Sequence, residues 1–244
     1  MGSLIGYQLA DAVATVTMDD GKVNVLSSRL ICEVTQALDR ALDDAAAVVV
    51  LAGRPGVFSA GFDLPVLRAG GPAAASMLRA GFDLAERVLS YPLPVVIACT
   101  GHAVAMGAFL LLSGDYRIGA AGPYKITANE VAIGVTMPRA AVEICRQRLT
   151  PAHFSRATIL AELYEPHSAI EAGFLDRVCE PADICDAVRG IARDLTNLDL
   201  DAHKATKMRA RQSALAALHD AIAADYAALT QRDLAAATAE ARPA

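Results

Sequence analysis

The stretch from Val95 to Asp115 most constrains the fold of this chain. It opens with Val95-Val96-Ile97-Ala98, a short apolar run rich in β-branched residues, which is typical of a buried strand. Gly101 and several small residues follow, and the apolar run 106–112 comes after them. This order predicts a buried strand, a tight turn and an apolar helix.

Small residues around the turn would let another group approach the backbone. They are Ala103, Ala105, Gly107 and Ala108, and a helix that begins near Met106 would aim its free N–H groups at that approaching group. The spacing therefore indicates a candidate anion site. A core strand packed on a core helix, with small residues for close contact, fits the same stretch, so both interpretations stay open at this point.

Composition limits the class of protein. The 244 residues are 54% hydrophobic and 20% charged, which is enough for one sizeable core. A formal net charge of −5 gives no reason to expect a nucleic-acid partner or an anionic membrane surface. The longest apolar runs, 45–52 and 103–112, are too short to span a bilayer. Five cysteines without a C-x-x-C pair, and no basic and apolar leader, predict reduced thiols and a cytoplasmic location.

Strands and helices are predicted along the rest of the chain from apolar periodicity and turn residues. Strands are expected over 7–18 and 48–52, and helices over 29–43, 65–68 and 73–90. From about residue 196 alanine, lysine and arginine recur with helical spacing, which predicts amphipathic helices. We therefore divide the chain into a core, residues 1–195, and a helical region, residues 196–244.

Two further segments are candidates for chemistry. Glu130 lies among apolar and small residues, and desolvation would raise the pKa of its carboxyl toward the value that suits a general base. In the segment 57–64 the pair Ala60-Gly61 would leave a backbone N–H accessible, and Asp63 could cap or brace the residues after it. A surface glutamate and a structural turn explain the same residues, so neither segment decides the function in isolation.

Three segments together resemble the crotonase, or enoyl-CoA hydratase/isomerase, superfamily: FSAGFDL at 58–64, GHAVAMGAFLLLSGDYRI at 101–118 and ITANEVAIGVTMP at 126–138. LYEPHSAIEAGFLDRV at 163–178 is also similar to a segment of that family. The resemblance implies an α/β fold, a spiral of repeated strand–strand–helix (ββα) units. It also implies that the C-terminal helical region drives trimer formation, giving a homotrimer or a homohexamer.

The resemblance further implies a coenzyme A thioester whose carbonyl oxygen lies between two backbone N–H groups. By motif position these donors are Ala60 and Met106, and two main-chain donors suit the negative charge of an enolate oxygen. Coenzyme A would be part of the substrate, with no separate cofactor and no metal. The positions implied to contact the substrate are Lys22, Val23, Val25, Phe62, Asp63, Leu64, Val104 and Phe109.

The number of carboxylates separates the possible reactions. Hydratases of the family use two glutamates, and the two positions correspond here to Phe109 and Glu130. Hydration needs a water that is held and split, whereas moving a double bond from C3 to C2 needs one base. We therefore predict a delta-3, delta-2-enoyl-CoA isomerase with Glu130 as acid and base. A hydratase, with Glu86 as a possible second acid, and a non-catalytic acyl-CoA binder remain alternatives.

A basic cluster on the C-terminal region has two interpretations. Lys204, Lys207, Arg209 and Arg211 could face coenzyme A phosphates, or they could form a solvated helix face.

Overall fold

The computed structural model describes residues 2–240, with side chains as far as residue 231. The strands are β1 Ile5–Ala10, β2 Val13–Met18, β3 Val25–Leu26, β4 Val48–Ala52, β5 Gly56–Ser59, β6 Gly61–Phe62, β7 Val95–Cys99, β8 Gly101–Val104, β9 Tyr116–Ala120, β10 Ile126–Thr127 and β11 Arg177–Cys179. The α-helices are α1 Ser28–Asp43, α2 Leu64–Ala69, α3 Gly71–Ser90, α4 Met106–Ser113, α5 Arg139–Arg146, α6 Pro151–Thr158, α7 Pro166–Ala172, α8 Ile184–Leu195 and α9 Leu200–Glu240. A short 3-10 helix spans Val131–Ile133.

The strands form a large sheet, a small sheet and the two-stranded pair β3–β6, and the first two alternate along the chain. The large sheet has the order β1-β2-β4-β7-β9-β11 and is parallel except for the β1–β2 pair. The small sheet has the order β10-β8-β5 and is parallel. Thus β4, β7 and β9 belong to the large sheet. The strand that follows each of them, β5, β8 and β10 respectively, belongs to the small sheet. The predicted α/β fold with ββα repeats is confirmed.

The central strands are apolar because both faces of the large sheet are covered. Val49 and Ile97 contribute to the main core, which also takes in buried residues of α1, α3 and α4. Val48 and Val96 point to the other face and pack in a second cluster with residues of α8, including Val188. A parallel sheet buried on both faces is expected to have continuous apolar strands.

Two elements differ from the prediction. The single strand expected over 7–18 is wrong: β1 and β2 form a hairpin that turns at Asp11 and Ala12, both with positive φ, +50° and +60°. Such a turn matches the twist of the strands, but its usual glycine is absent, so periodicity did not reveal it. Residues 101–104, expected as part of a turn, form β8, the central strand of the small sheet.

The C-terminal region is one long helix that packs on the same chain. Asp225 of α9 accepts a hydrogen bond from the N–H of Ala140 at the start of α5, at 3.0 Å. Lys207 and Arg211 point inward and bind Asp115 at 2.7 and 2.9 Å, so these two members of the basic cluster are not on a solvated face. Residues 241–244 of the predicted helical region lie outside the described residues. Within the described part of the chain, every helix is too short or too polar to cross a membrane.

Candidate functional site

The start of helix α4 presents an unused backbone donor. Ala105, which precedes the helix, has φ +51° and ψ −125°, a conformation that costs energy for a residue with a Cβ. Its N–H donates to the carbonyl of Thr127 at 2.9 Å, which fixes the helix start against β10. Among the described residues no group accepts a hydrogen bond from the N–H of Met106. The predicted role of Met106 as a donor is therefore compatible with the local geometry.

Close backbone contacts bring the first motif against this helix start. A Cβ on Gly107 would lie 2.4 Å from the carbonyl oxygen of Ser59, so only glycine allows this approach. Gly61 has φ +89°, and a Cβ there would lie 3.3 Å from the nitrogen of Met106. The turn that follows Ser59 therefore lies directly beside the free N–H of Met106.

The donor predicted in the first motif needs correction. The N–H of Ala60 donates to the carbonyl of Val23 at 3.0 Å, so it is not free to bind an oxyanion. The N–H of Gly61 donates to the side-chain oxygen of Ser59 at 3.1 Å. The next N–H along the turn belongs to Phe62. The motif located the turn, but the N–H groups of Ala60 and Gly61 bind different partners, and the fold determines which partners they meet.

Glu130 is a buried carboxyl in the segment that follows β10, whose Thr127 carbonyl binds the N–H of Ala105 at the start of α4. It lies three residues after Thr127, just before the 3-10 helix, and is 8% exposed. No group in the part of the chain that the structure describes donates a hydrogen bond to its buried Oε2. Burial raises the pKa of this carboxyl to about 7, although a hydrogen bond from its own backbone N–H acts in the opposite direction. The predicted rise of this pKa is confirmed.

An aromatic cluster occupies the position of the second family carboxylate. Phe109 is 1% exposed, and its ring stacks on Phe82 with centroids 6.2 Å apart. Phe62 meets Phe82 edge-on at 6.0 Å. A Cβ on Gly81 would lie 2.4 Å from the Phe62 ring, so this glycine makes room for the cluster. The sequence predicted a helix over 73–90 but did not connect Phe82 with the site.

Glu86 does not supply a second acid to this cluster. Its carboxylate lies 3.3 Å from Nδ1 of His219 on α9, and a quarter of its side chain is exposed. The pair joins α3 to the C-terminal helix, which agrees with a structural role for Glu86. Glu130 therefore remains the one buried carboxyl at the two positions that correspond to the family glutamates.

An open cavity of about 540 Å³ adjoins the first-motif turn. It contains four of the predicted site residues, Lys22, Val23, Ala60 and Val104. It also contains basic residues that the sequence did not indicate: Arg54, Lys125 and His102. Nδ1 of His102 accepts a hydrogen bond from the N–H of Lys125 at 2.9 Å, which leaves Nε2 of this ring to act as the donor when His102 is neutral. Positive charge in the lining of the cavity suits a phosphorylated ligand.

The other predicted contact residues lie elsewhere. Val25 pairs with Gly61 through strands β3 and β6. Asp63 caps α2, accepting from the N–H of Val66 at 3.4 Å, as its position suggested. Leu64 is 46% exposed. None of the three is among the residues that line the described cavity, and their contact with a substrate stays a prediction.

The fold and the site together define the class: an α/β protein with ββα repeats, an unused N–H at the start of α4, and a buried carboxyl in the segment after the strand that fixes this helix start. Residues 8–239 match the family described as enoyl-CoA hydratase/isomerase. The chain belongs to this family, as the sequence motifs predicted.

Solved structures and a curated relative agree with this assignment. An enoyl-CoA isomerase of Mycobacterium tuberculosis is similar with a TM-score of 0.90 and 45% identity, covering 93% of this chain and 99% of that one. The human mitochondrial delta3-delta2-enoyl-CoA isomerase has a TM-score of 0.82 and 25% identity, covering 98% of this chain and 100% of that one. A probable enoyl-CoA hydratase of Mycobacterium avium is 31% identical over 173 residues, which are 70% of this chain and 66% of the relative. The names of these relatives are divided between isomerase and hydratase.

Proposed function

We propose that the protein is a delta-3, delta-2-enoyl-CoA isomerase that uses one acid/base residue, Glu130. The observation that carries the proposal is that, of the two positions that correspond to the family glutamates, one is the buried carboxyl of Glu130 and the other is the buried ring of Phe109. Phe109 cannot exchange a proton, and its contact with Phe82 leaves this side of the site apolar. Glu130 has the raised pKa that a base working near neutral pH needs.

The reaction then needs one proton acceptor and one stabilised oxygen. Glu130 removes a proton from C2 of a 3-enoyl-CoA, and the C–H electron pair moves into a dienolate whose negative charge lies on the thioester oxygen. The protonated Glu130 returns the same proton to C4, which leaves the double bond between C2 and C3. No water, redox group or metal enters this balance, so coenzyme A is the carrier of the substrate and no separate cofactor is needed.

Backbone donors stabilise the dienolate oxygen in this proposal. Met106 provides one N–H. Since the N–H groups of Ala60 and Gly61 are engaged, we assign the second donor to Phe62. Loss of one such donor typically lowers the rate about a hundredfold to a thousandfold, which shows how much the turn geometry contributes. Lys22, Arg54 and Lys125 line the cavity and suit the phosphates of coenzyme A.

Enoyl-CoA hydration is the second candidate, because the relative from Mycobacterium avium is named a probable hydratase. The two reactions are separated by incubating the protein with a 3-enoyl-CoA and, separately, with a 2-enoyl-CoA. Products are followed by chromatography and mass spectrometry, since hydration adds the mass of water and isomerisation adds none. Glu130→Gln and Glu86→Gln are tested in parallel.

The isomerase proposal expects conversion of the 3-enoyl-CoA without hydration of the 2-enoyl-CoA. This conversion is lost in Glu130→Gln and retained in Glu86→Gln. Hydration of the 2-enoyl-CoA would favour the hydratase. Thermal stabilisation by acyl-CoA without turnover, unaffected by Glu130→Gln, would favour the non-catalytic binder. The trimeric or hexameric assembly and the cytoplasmic location stay predictions, and light scattering coupled to gel filtration tests the assembly.

A further inference from the structure

One buried hydroxyl connects the two loops that border the site. Ser59 is fully buried, and its Oγ donates to the carbonyl of Asn24 at 2.7 Å. The same Oγ accepts from the N–H of Gly61 at 3.1 Å. Ser59 therefore links the loop that carries Lys22 and Val23 to the turn that lies beside the N–H of Met106.

Hydrogen bonds of the Asn24 side chain fix the loop end of this link. Asn24 is fully buried and has φ +52°, a conformation that asparagine adopts more readily than most residues with a side chain. Its side-chain amide donates to the carbonyls of Met18 and Phe58 at 2.9 and 3.1 Å. Its Oδ1 accepts from the N–H of Asp20 at 3.0 Å. With these bonds in place the carbonyl of Asn24 is a fixed acceptor for Ser59.

The turn end of the link determines which N–H groups remain for a ligand. The bond to Ser59 Oγ turns the N–H of Gly61 away from the site, and the bond to the Val23 carbonyl does the same for Ala60. The main chain of Ser59 also touches the first turn of α4, because its carbonyl oxygen would lie 2.4 Å from a Cβ on Gly107. A shift of Ser59 would therefore change the position of the turn relative to Met106.

We propose that Ser59 is a positioning residue for the oxyanion site, which it sets by holding the turn 60–62 at a fixed orientation to the Met106 N–H. This inference rests on the proposed function. Ser59 does not touch the reacting atoms. Without its hydroxyl, the hydrogen bonds that Ser59 makes with the Gly61 N–H and the Asn24 carbonyl would be lost, and the turn would shift.

The test compares Ser59→Ala with Ser113→Ala. Ser113 is a matched control, because it is also fully buried and its hydroxyl donates to a backbone carbonyl, that of Phe109, at 2.9 Å. A third variant, Ser59→Cys, keeps a weak donor and acceptor at the same position. Three quantities are measured: kcat and KM for a 3-enoyl-CoA, the thermal midpoint, and the ¹³C resonance of the thioester carbonyl in bound butyryl-CoA. The resonance reports how strongly backbone donors polarise the carbonyl, and it needs no turnover.

We expect Ser59→Ala to lower kcat about tenfold or more, because small misplacements of catalytic geometry have large effects on rate, and to change KM less than about twofold. The bound carbonyl resonance moves toward its value in free butyryl-CoA. Ser59→Cys recovers part of both effects, and Ser113→Ala lowers only the thermal midpoint.

A Ser59→Ala protein with a lower thermal midpoint but wild-type kcat and wild-type carbonyl resonance would overturn this inference and leave the proposed function standing. A wild-type protein that neither binds butyryl-CoA nor converts any enoyl-CoA would overturn the proposed function, and this inference with it.

Discussion

Replacing Glu130 with glutamine is expected to stabilise the protein at alkaline pH. Burial raises the pKa of this carboxyl from 4.5 to about 7. Above pH 7 the folded protein therefore holds a desolvated carboxylate, whereas the unfolded chain solvates it. The interval between the two pKa values corresponds to a loss of about 3 kcal/mol from the free energy of unfolding. Because the folded pKa is raised, this loss is complete above pH 7 and disappears below pH 4.5.

The assay is urea unfolding of the wild-type protein and of Glu130→Gln at two pH values, with linear extrapolation to water. By linkage, the variant should be more stable than the wild type by about 3 kcal/mol at pH 8 and by about 1 kcal/mol at pH 5. Glu171→Gln serves as the control, since Glu171 is exposed on α7. Its difference from the wild type should stay within about 0.5 kcal/mol at both pH values.

Ionisation of Glu130 has the opposite effect on activity, which it raises, while it lowers the free energy of unfolding. The base must be ionised, so kcat/KM for a 3-enoyl-CoA should rise with pH and level off above an inflection near 7. Glu130→Gln should lower kcat by about a hundredfold or more. An equal stability difference at pH 5 and pH 8, or an inflection near 4.5, would show that Glu130 is not desolvated and would refute the reasoning.

Three further predictions test the site from different sides. Ala105→Gly should raise the free energy of unfolding by about 1 kcal/mol, measured by urea unfolding, because glycine adopts φ +51° without strain; an unchanged or lower value would contradict the strain. Arg54→Ala with Lys125→Ala should raise KM for an enoyl-CoA several-fold at low salt but leave KM for the matching enoyl-pantetheine unchanged, because that thioester lacks the nucleotide; equal effects on both would exclude phosphate binding. Phe109→Glu should lower the free energy of unfolding by about 3 kcal/mol or more, since it removes a buried ring stacked on Phe82 and buries a carboxyl there; retained stability would show that this cluster is open to water.

The sequence predicted the elements that have a strong local signal. The β-branched run at Val95 specified β7, and the helix expected to begin near Met106 does begin there. Glu130 was recognisable because a carboxyl among apolar residues is expected to be desolvated, which raises its pKa. In each case the residues that carry the signal are neighbours in the chain.

The predictions that failed, and the residues that were missed, depend on partners distant in the chain. The N–H of Ala60 is engaged because it binds the carbonyl of Val23. By residue number, Val23 lies 37 positions earlier in the chain. Arg54 and Lys125 share a cavity because β5 and β8 and then β8 and β10 are neighbours in the small sheet. Phe82 reaches Phe109 from another helix. Periodicity describes which side of an element is apolar, but it does not say what that side will meet.

The free donor at the start of α4 belongs to the main chain, and this has a consequence for how the site can change. Any residue other than proline at position 106 carries the same N–H, so such substitutions leave the donor in place as long as Ala105 and Gly107 keep the backbone course. The proton chemistry, in contrast, depends on the side chains at 109 and 130. A chain with this backbone can therefore acquire a different reaction through few substitutions, because the support for the anionic oxygen is inherited with the fold.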